Sequence, residues 1–279
     1  MTSSVQHFAV LGSPISHSQS PALHRAAYHV LGLNWDYTVH EVASGELERF
    51  LSDTATRWRG LSLTMPLKRE ILPFLFEQDE VSLQVGAANT VLFDGGRAFG
   101  FNTDVYGAER MLREAIPGEL HRALILGGGA TARSVIVALA RRGVRELTVA
   151  TRSPARSQDL VELGRSAGIT VALGDLAVDL GEPDVVVSTL PGTAVITTKL
   201  PRSLRTSVPL VDIAYAPWPT AAAQYWSDAG GRVVNNGIGM LIYQALAQLR
   251  IFVGGDPERE LPSEPEVLAA MRRAVLAPV

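Results

Sequence analysis

Residues 124–132 constrain more strongly than any other segment what this chain can fold into. The apolar run Leu-Ile-Leu leads directly into Gly-Gly-Gly-Ala-Thr-Ala, and residues 131–142 then have the periodicity of a helix that ends at Gly143. A strand followed at once by a turn with the spacing G-x-G-x-x-A and by a helix is typical of the first βα unit of a dinucleotide-binding domain. A purely structural tight turn is the alternative, and the strand–helix context disfavours it.

Small residues in such a turn have a physical purpose. They permit a sharp reversal of the backbone and a close approach to a pyrophosphate, while the start of the next helix offers free N–H groups and the positive end of its dipole. We therefore expect the cofactor to contact a short run of consecutive residues, namely Gly127, Gly128, Gly129 and Ala130.

The end of the next predicted strand, residues 146–150, indicates which dinucleotide binds. An NAD-binding domain usually carries an acidic residue there, which accepts a hydrogen bond from the ribose 2′-hydroxyl. This chain has Thr151, Arg152 and Ser153 instead, with Arg156 close behind. Guanidinium groups suit a 2′-phosphate because they offer forked donors and a permanent charge. The sequence therefore favours NADP, although both arginines could also be ordinary solvated surface residues.

Short apolar runs alternate with amphipathic stretches along the whole chain, which predicts an α/β protein with a mostly parallel sheet covered by helices. The predicted strands are residues 8–11, 37–39, 60–63, 90–93, 98–101, 124–126, 146–150, 184–188, 208–213 and 232–234. Ser20 and Pro21 predict an N-cap and first turn of a helix that stops at Gly32. We expect a discontinuous substrate-binding domain of residues 1–104 and 238–279, a Rossmann-type NADP-binding domain of residues 105–237, and a cleft between them.

Composition excludes several classes of function. The 279 residues include no cysteine, so disulfides, thiolate nucleophiles and cysteine-ligated metals are absent, and the histidines do not pair at metal-ligand spacings. A net charge of −3 gives no reason to expect nucleic acid or a membrane surface as a partner. The missing cysteines and the histidine spacing lead us to expect a protein without a metal. Because neither a signal peptide nor a long apolar run is apparent, we expect it to be cytoplasmic.

Several polar motifs follow predicted strands, where α/β proteins bind their ligands. They supply hydroxyls, amides, one ammonium and one carboxylate, which suits a small hydroxyl-rich ligand. Lys68 and Asp104 are the chemically distinctive pair, because an ammonium can protonate the alkoxide that forms when a ketone is reduced, and a carboxylate can hold it. A surface lysine and a helix N-cap are the alternative interpretations, and the residue types alone leave both open.

These motifs together closely resemble the shikimate dehydrogenase family, in the same order along nearly the whole chain. The segments that carry the resemblance are residues 12–24, 64–68, 86–90, 102–107 and 239–245. The resemblance implies reversible, NADPH-dependent reduction of 3-dehydroshikimate to shikimate in aromatic amino-acid and chorismate biosynthesis, by a monomer or homodimer.

The resemblance also implies a role for individual residues. Lys68 would be the catalytic acid and base, oriented by Asp104. Ser16 and Ser18 would bind the substrate carboxylate, and the substrate hydroxyls or ring would contact Thr64, Asn89, Asp104, Tyr215 and Gln244. Gly237 and Met240 would lie near the nicotinamide, while residues 151–153 and Arg156 fall on the adenosine-phosphate segment, where Thr151 replaces a common asparagine.

Three other functions are compatible with this pattern, and the least favoured of them is an NADP-dependent enzyme that acts on another small polar acid. An NAD-dependent quinate or quinate/shikimate dehydrogenase would share the same active-site residues and differ at the strand end near residues 150–152. A ligand sensor that keeps the fold without turnover would be expected to lose Lys68 or Asp104, and both are present here.

Overall fold

The chain forms two compact units in a computed structural model, which describes residues 5–54, 57–174, 182–194, 196, 200–235 and 237–276. One unit comprises Met1–Thr103 and Gln244–Val279, and the other comprises Asp104–Tyr243. Within the described ranges, no helix combines the length and apolar character needed to cross a membrane. The predicted limits of the functional domains, at residues 104 and 237, stay a prediction.

The first unit begins with alternating strands and helices. In chain order these are β1 (Gln6–Gly12), α1 (Ser20–Leu31), β2 (Trp35–Glu41), α2 (Leu47–Thr54), β3 (Gly60–Leu63), α3 (Leu67–Glu70), a 3₁₀ turn (Leu72–Phe74), β4 (Glu77–Gln78), α4 (Glu80–Val85), β5 (Thr90–Asp94) and β6 (Arg97–Phe101).

The second unit follows, and the last two helices lead back into the first unit. In chain order the elements are α5 (Asp104–Ala115), β7 (Arg122–Leu126), α6 (Ala130–Arg141), β8 (Glu146–Ala150), a 3₁₀ turn (Pro154–Ser157), α7 (Gln158–Ser166), β9 (Thr170–Gly174), β10 (Val185–Ser188), α8 (Arg202–Ser207), β11 (Leu210–Asp212), α9 (Ala221–Ser227), β12 (Val233–Asn235), α10 (Ile238–Gly254) and α11 (Glu264–Leu276).

The sheet of the first unit has the order β2-β1-β3-β5-β6-β4, and five of its six strands run in the same direction, so the predicted mostly parallel sheet is confirmed with β5 as the exception. Strand β1 pairs parallel with β2 and β3, whereas β5 is antiparallel to both β3 and β6. The physical reason is the two-residue turn Gly95-Gly96, in which φ is 55° and 75°. Two consecutive positive φ angles match the twist of a tight hairpin, so β5 reverses directly into β6.

Apolar side chains cover one face of this sheet. Leu11, Leu61 and Val91 from the strands are fully or almost fully buried against Leu67 and Ile71 from the segment after β3. Because α3 is anchored by its buried first residue, the position of the side chain that follows it, at residue 68, is set by core packing.

Helix α1 confirms one predicted end and corrects the other. Gly32 ends the helix in the left-handed conformation, with φ 65°. Ser20 was predicted to be the N-cap, but Ser20 is the first helical residue and Gln19 occupies the cap without a side-chain hydrogen bond. The Ser20 hydroxyl is instead buried beside the phenol of Tyr37 and does not turn back toward the helix N-terminus.

The sheet of the second unit is entirely parallel, with the order β12-β11-β10-β7-β8-β9. Numbered from β7, this is the 3-2-1-4-5-6 order of a dinucleotide-binding fold, so the predicted Rossmann-type domain is confirmed. Strand β9 was not predicted, because Thr170, Ala172 and Gly174 give it little hydrophobic signal at the edge of the sheet.

His24 is a buried titratable group in the first unit. Its ring is fully buried, stacks on Tyr37 with centroids 4.1 Å apart, and has Nε2 3.2 Å from Oε1 of Gln248. Burial lowers the pKa of His24 from 6.5 to about 3, because desolvation penalises the imidazolium and outweighs the hydrogen bond that His24 donates to Gln248. The ring is therefore neutral at physiological pH.

We predict that His24 makes the first unit acid-sensitive. Between pH 6.5 and about 3 the unfolded chain binds a proton that the folded unit does not, so the free energy of unfolding falls as the pH is lowered through this window. The expected contribution is about 1.4 kcal/mol per pH unit. Urea titrations at pH 7, 6 and 5 should show that His24→Leu loses this part of the slope.

His29 provides the matched control, because it is exposed on the same helix. His29→Leu should keep the wild-type dependence of unfolding free energy on pH. Equal slopes for wild type and His24→Leu would contradict the assignment.

Candidate functional site

The loop after β1 lies directly against the loop after β3. A Cβ built on Gly12 would lie 2.4 Å from Cγ2 of Thr64, so only glycine permits this approach. The N–H of Ser13 donates to the carbonyl of Met65 at 2.9 Å, and the N–H of Thr64 donates to the carbonyl of Leu11 at 2.9 Å. Because β1 and β3 are parallel, both loops leave the same edge of the sheet.

Three predicted substrate-binding residues are carried by these two joined loops. Ser16 is exposed, and Ser18 is half-buried, with its hydroxyl accepting the N–H of Ser20 at 3.3 Å. Thr64 is half-buried and its carbonyl accepts the N–H of Leu67, at 2.8 Å, where α3 begins. The structure therefore places hydroxyl groups along one sheet edge, next to the helix that carries Lys68.

Lys68 is half-buried in the short helix α3. Its neighbour Leu67 is fully buried, and the carbonyl of Lys68 accepts the N–H of Ala88 at 2.8 Å. The backbone of Lys68 is thus bonded to the loop of residues 86–89, which ends at another predicted site residue, Asn89.

Asn89 is the centre of a buried polar cluster and is only 1% exposed. Its Oδ1 accepts the N–H of Thr103 and the hydroxyl of Thr90, both at 2.9 Å. Its Nδ2 donates to Oγ1 of Thr103 at 2.9 Å and to Oε1 of Gln244 at 3.5 Å. A buried amide pays a large desolvation penalty unless its atoms find partners, so these bonds fix the orientation of the side chain.

The opposite side of the 86–89 loop is bonded to the end of β6. Nδ2 of Asn102 donates to the carbonyl of Ala87 at 2.8 Å, and Thr103 bonds Asn89 as described. Asp104 follows Thr103 in the chain, is 5% exposed, and is the first residue of α5 in the second unit. Asp104 is therefore a helical residue and not the N-cap that precedes the helix.

The second unit builds the predicted glycine turn between β7 and α6. Gly127 has φ 103°, and its N–H donates to the carbonyl of Ala150 at 2.8 Å, at the end of β8. Gly129 occupies the N-cap of α6. A Cβ added at this glycine would have no neighbouring atom within 4 Å. A glycine cap has no side chain to satisfy the first N–H groups of the helix, and the backbone is open beside it. Both features fit a pyrophosphate.

The loop after β8 packs on this turn. A Cβ on Gly128 would lie 3.0 Å from Oγ of Ser157, and that hydroxyl is 3.3 Å from Oγ1 of Thr151. Thr151 Oγ1 also accepts the N–H of Ser153 at 3.4 Å, while the side chain of Arg152 is exposed. The structure thus brings an exposed guanidinium into the segment that adjoins the turn, which suits a 2′-phosphate. Arg156 lies in the 3₁₀ turn that follows, and its side chain falls outside the described part.

Three predicted residues of the second unit remain, and one of them, Gly237, lies against the end of β11. A Cβ on Gly237, where φ is 78°, would lie 1.9 Å from the carbonyl oxygen of Ile213, two residues before Tyr215. Burial raises the pKa of Tyr215, so its phenol remains a hydrogen-bond donor at neutral pH. Met240 is buried in the first turn of α10.

Two supporting residues were missed by sequence reasoning. Asp212 is fully buried at the end of β11, where its carboxylate accepts the hydroxyl of Thr220 and the N–H of Ala214. This holds both ends of the loop that carries Tyr215, and burial raises the pKa of Asp212. Gln248 is the other, and its only sequence signal was a polar residue one turn after Gln244 in an apolar helix. Across the described residues, no group of three or more histidine, aspartate or glutamate side chains could hold a metal ion.

Comparisons with known proteins agree with this geometry. A family model described as the shikimate dehydrogenase substrate binding domain matches residues 10–91, and one described as shikimate / quinate 5-dehydrogenase matches residues 112–217. The chain is 36% identical to a shikimate dehydrogenase (NADP(+)) of Desulfitobacterium hafniense, covering 87% of this chain and 90% of the relative. It is 32% identical to the protein of the same name from Halothermothrix orenii, covering 91% and 93%.

Solved structures give the same result. The crystal structure of Mycobacterium tuberculosis shikimate dehydrogenase superposes with a TM-score of 0.79 at 35% identity, covering 96% of this chain and 99% of that one. The Thermus thermophilus shikimate 5-dehydrogenase in complex with NADP(H) and shikimate superposes with a TM-score of 0.79 at 32% identity, covering 97% and 100%.

The glycine turn makes a prediction about stability. Gly127→Ala should lower the free energy of unfolding by about 1–2 kcal/mol, because a side chain disfavours positive φ and the new Cβ would lie 2.8 Å from Oγ1 of Thr189. Gly129→Ala, at φ −82° in open space, should cost less than about 1 kcal/mol. Urea denaturation without added cofactor measures both.

Titration of the same two variants with NADP⁺ separates folding from binding. Gly129→Ala should weaken NADP⁺ binding although it hardly affects stability, because the methyl group would occupy the space left for the pyrophosphate. Unchanged affinity in Gly129→Ala would show that the phosphates lie elsewhere.

Proposed function

Because this chain belongs to the shikimate dehydrogenase family, we propose that it catalyses the reversible, NADP-dependent reduction of 3-dehydroshikimate to shikimate. One observation carries the proposal. The loop of residues 86–89 is bonded on one side to the backbone of Lys68 and on the other to Thr103, the residue that precedes Asp104. The two residues proposed to do the chemistry are therefore connected through one short, buried segment.

The first unit is proposed to bind the substrate. Ser16 and Ser18 would hold its carboxylate, since their loop offers hydroxyls at the sheet edge. Thr64, Asn89 and Gln244 would hold the ring hydroxyls. Amide side chains suit this task because each offers both a donor and an acceptor to a hydroxyl group.

Lys68 and Asp104 are proposed to handle the proton. In the reductive direction the Lys68 ammonium donates a proton to the oxygen of the ketone as it becomes an alkoxide, and in the oxidative direction the neutral amine takes the proton back. The Asp104 carboxylate would orient the ammonium, and Tyr215 would contact the substrate. Holding the substrate in one orientation supplies a large share of the acceleration.

The second unit is proposed to bind the cofactor. The turn of residues 127–130 would hold the pyrophosphate, residues 151–153 and Arg156 the 2′-phosphate, and Gly237 and Met240 would flank the nicotinamide. When bound, the nicotinamide supplies or accepts the hydride. In domain terms, residues 1–104 and 238–279 would serve the substrate and residues 105–237 the cofactor. The cytoplasmic location and the monomeric or homodimeric state stay predictions.

Steady-state oxidation of shikimate by NADP⁺ tests the proposal. We expect the wild type to turn over, and Lys68→Ala to lose about 10²–10⁴-fold in kcat with little change in KM, because the proton acceptor is lost while the binding groups remain. Arg69→Ala is the matched control, since Arg69 is exposed on the same short helix, and it should retain wild-type kcat.

Near-normal kcat in Lys68→Ala would exclude Lys68 as the acid and base. Running the same assay with quinate and with NAD⁺ distinguishes the alternative dehydrogenase, because a preference for quinate and NAD⁺ would overturn the proposed substrate and cofactor. No turnover with any pair would favour the ligand sensor.

Arg152 tests the cofactor preference. Arg152→Ala should raise the KM for NADPH about tenfold or more while hardly changing that for NADH, because only NADPH carries the 2′-phosphate. Arg165→Ala, on the exposed face of the following helix, should change neither value. Equal effects of Arg152→Ala on both cofactors would refute the assignment.

A further inference from the structure

A second polar cluster lies buried in the first unit and is hydrogen-bonded to the backbone of Asn89. It consists of Gln248, which is 2% exposed, together with His24, Ser62 and Tyr37, which are at most 3% exposed. These side chains come from α10, α1, β3 and β2, so the cluster joins two helices to the sheet.

The hydrogen bonds of the cluster run in one consistent direction. The phenol of Tyr37 donates to Oγ of Ser62 at 2.7 Å, and the Ser62 hydroxyl donates to Oε1 of Gln248 at 3.0 Å. Nε2 of His24 lies 3.2 Å from the same Oε1 and must donate, because an amide oxygen only accepts. Two donors therefore converge on the oxygen of Gln248.

The nitrogen of the same amide points at the candidate site. Nε2 of Gln248 donates to the backbone carbonyl of Asn89 at 3.4 Å, and that carbonyl also accepts the N–H of Leu63 at 2.7 Å. Rotating the amide by half a turn would put its oxygen against the Asn89 carbonyl, so that two acceptors would face each other. The surroundings therefore select one orientation of Gln248.

Gln248 and Gln244 both come from α10, and one bonds the backbone of Asn89 while the other bonds its side chain. They lie one turn apart on one face of α10, since residues four apart in a helix are neighbours. Gln244 meets the side chain of Asn89, whereas Gln248 meets its backbone. The Asn89 carbonyl that Gln248 bonds also accepts the N–H of Leu63, the last residue of β3 and the neighbour of Thr64.

We propose that Gln248 is a positioning residue that aligns Asn89 and Gln244 for the substrate hydroxyls. This inference rests on the proposed function, in which those two amides contact shikimate. Gln248 donates to the backbone carbonyl of Asn89, a residue proposed to bind the substrate, so its effect would be on substrate affinity and not on the proton transfer of Lys68.

Calorimetric titration with shikimate tests the inference without turnover. Gln248→Met keeps the length of the side chain but removes both the acceptor and the donor. We expect shikimate to bind about tenfold more weakly to Gln248→Met, and NADP⁺ to bind as tightly as it does to the wild type. Ser62→Ala, which removes one donor to Gln248, should weaken shikimate binding about threefold.

Thr38→Val is the matched control. It removes a hydroxyl that donates to the Phe8 carbonyl in the same sheet while keeping the shape of the side chain, and should leave shikimate affinity unchanged. Wild-type affinity in both Gln248→Met and Ser62→Ala, or an equal loss in Thr38→Val, would overturn the positioning role. Should Gln248→Met fail to fold, Ser62→Ala alone decides. A wild type that binds no shikimate would overturn the proposed function and this inference together.

Discussion

The buried amide of Asn89 must be satisfied by hydrogen bonds, and much of the candidate substrate site is arranged around that requirement. An amide removed from water is costly unless nearby groups replace the lost hydrogen bonds. Thr103 and Thr90 hydrogen-bond the side chain of Asn89, and the N–H of Leu63 donates to its backbone carbonyl. The same contacts join the ends of β3, β5 and β6. Satisfying one side chain therefore brings the loops that carry Lys68 and Thr64 to one edge of the sheet.

The second unit meets a different constraint, which is backbone geometry. At Gly127 the chain must turn with φ at 103° while its N–H bonds the end of the neighbouring strand. A residue with a side chain would be strained there and would contact Thr189. The turn leaves the start of α6 uncapped by any side chain, which is the condition for an anion site. Here local conformation, and not a buried polar network, builds the site.

Sequence reasoning identified elements with strong local signals and missed those that depend on distant partners. Gly32, the β7–turn–α6 unit and the strand at residues 146–150 were predicted as found, because turn chemistry and periodicity act over a few residues. The prediction of a mostly parallel sheet did not identify β5 as the antiparallel strand, although Gly95-Gly96 carried the hairpin signal. The prediction that Ser20 is the N-cap was wrong, because its hydroxyl hydrogen-bonds the phenol of Tyr37 on a neighbouring strand.

By itself the sequence determined the α/β class, the dinucleotide turn, the absence of an acid after β8 and the family, since each depends on residue types at fixed spacing. Only the tertiary structure decided which polar side chains are buried together. His24, Ser62 and Gln248 are separated by long stretches of chain, yet their hydrogen bonds converge on one amide. A glutamine in an apolar helix has the same sequence signal whether it faces solvent or a buried carbonyl. Its partners exist only once the sheet and helices have packed.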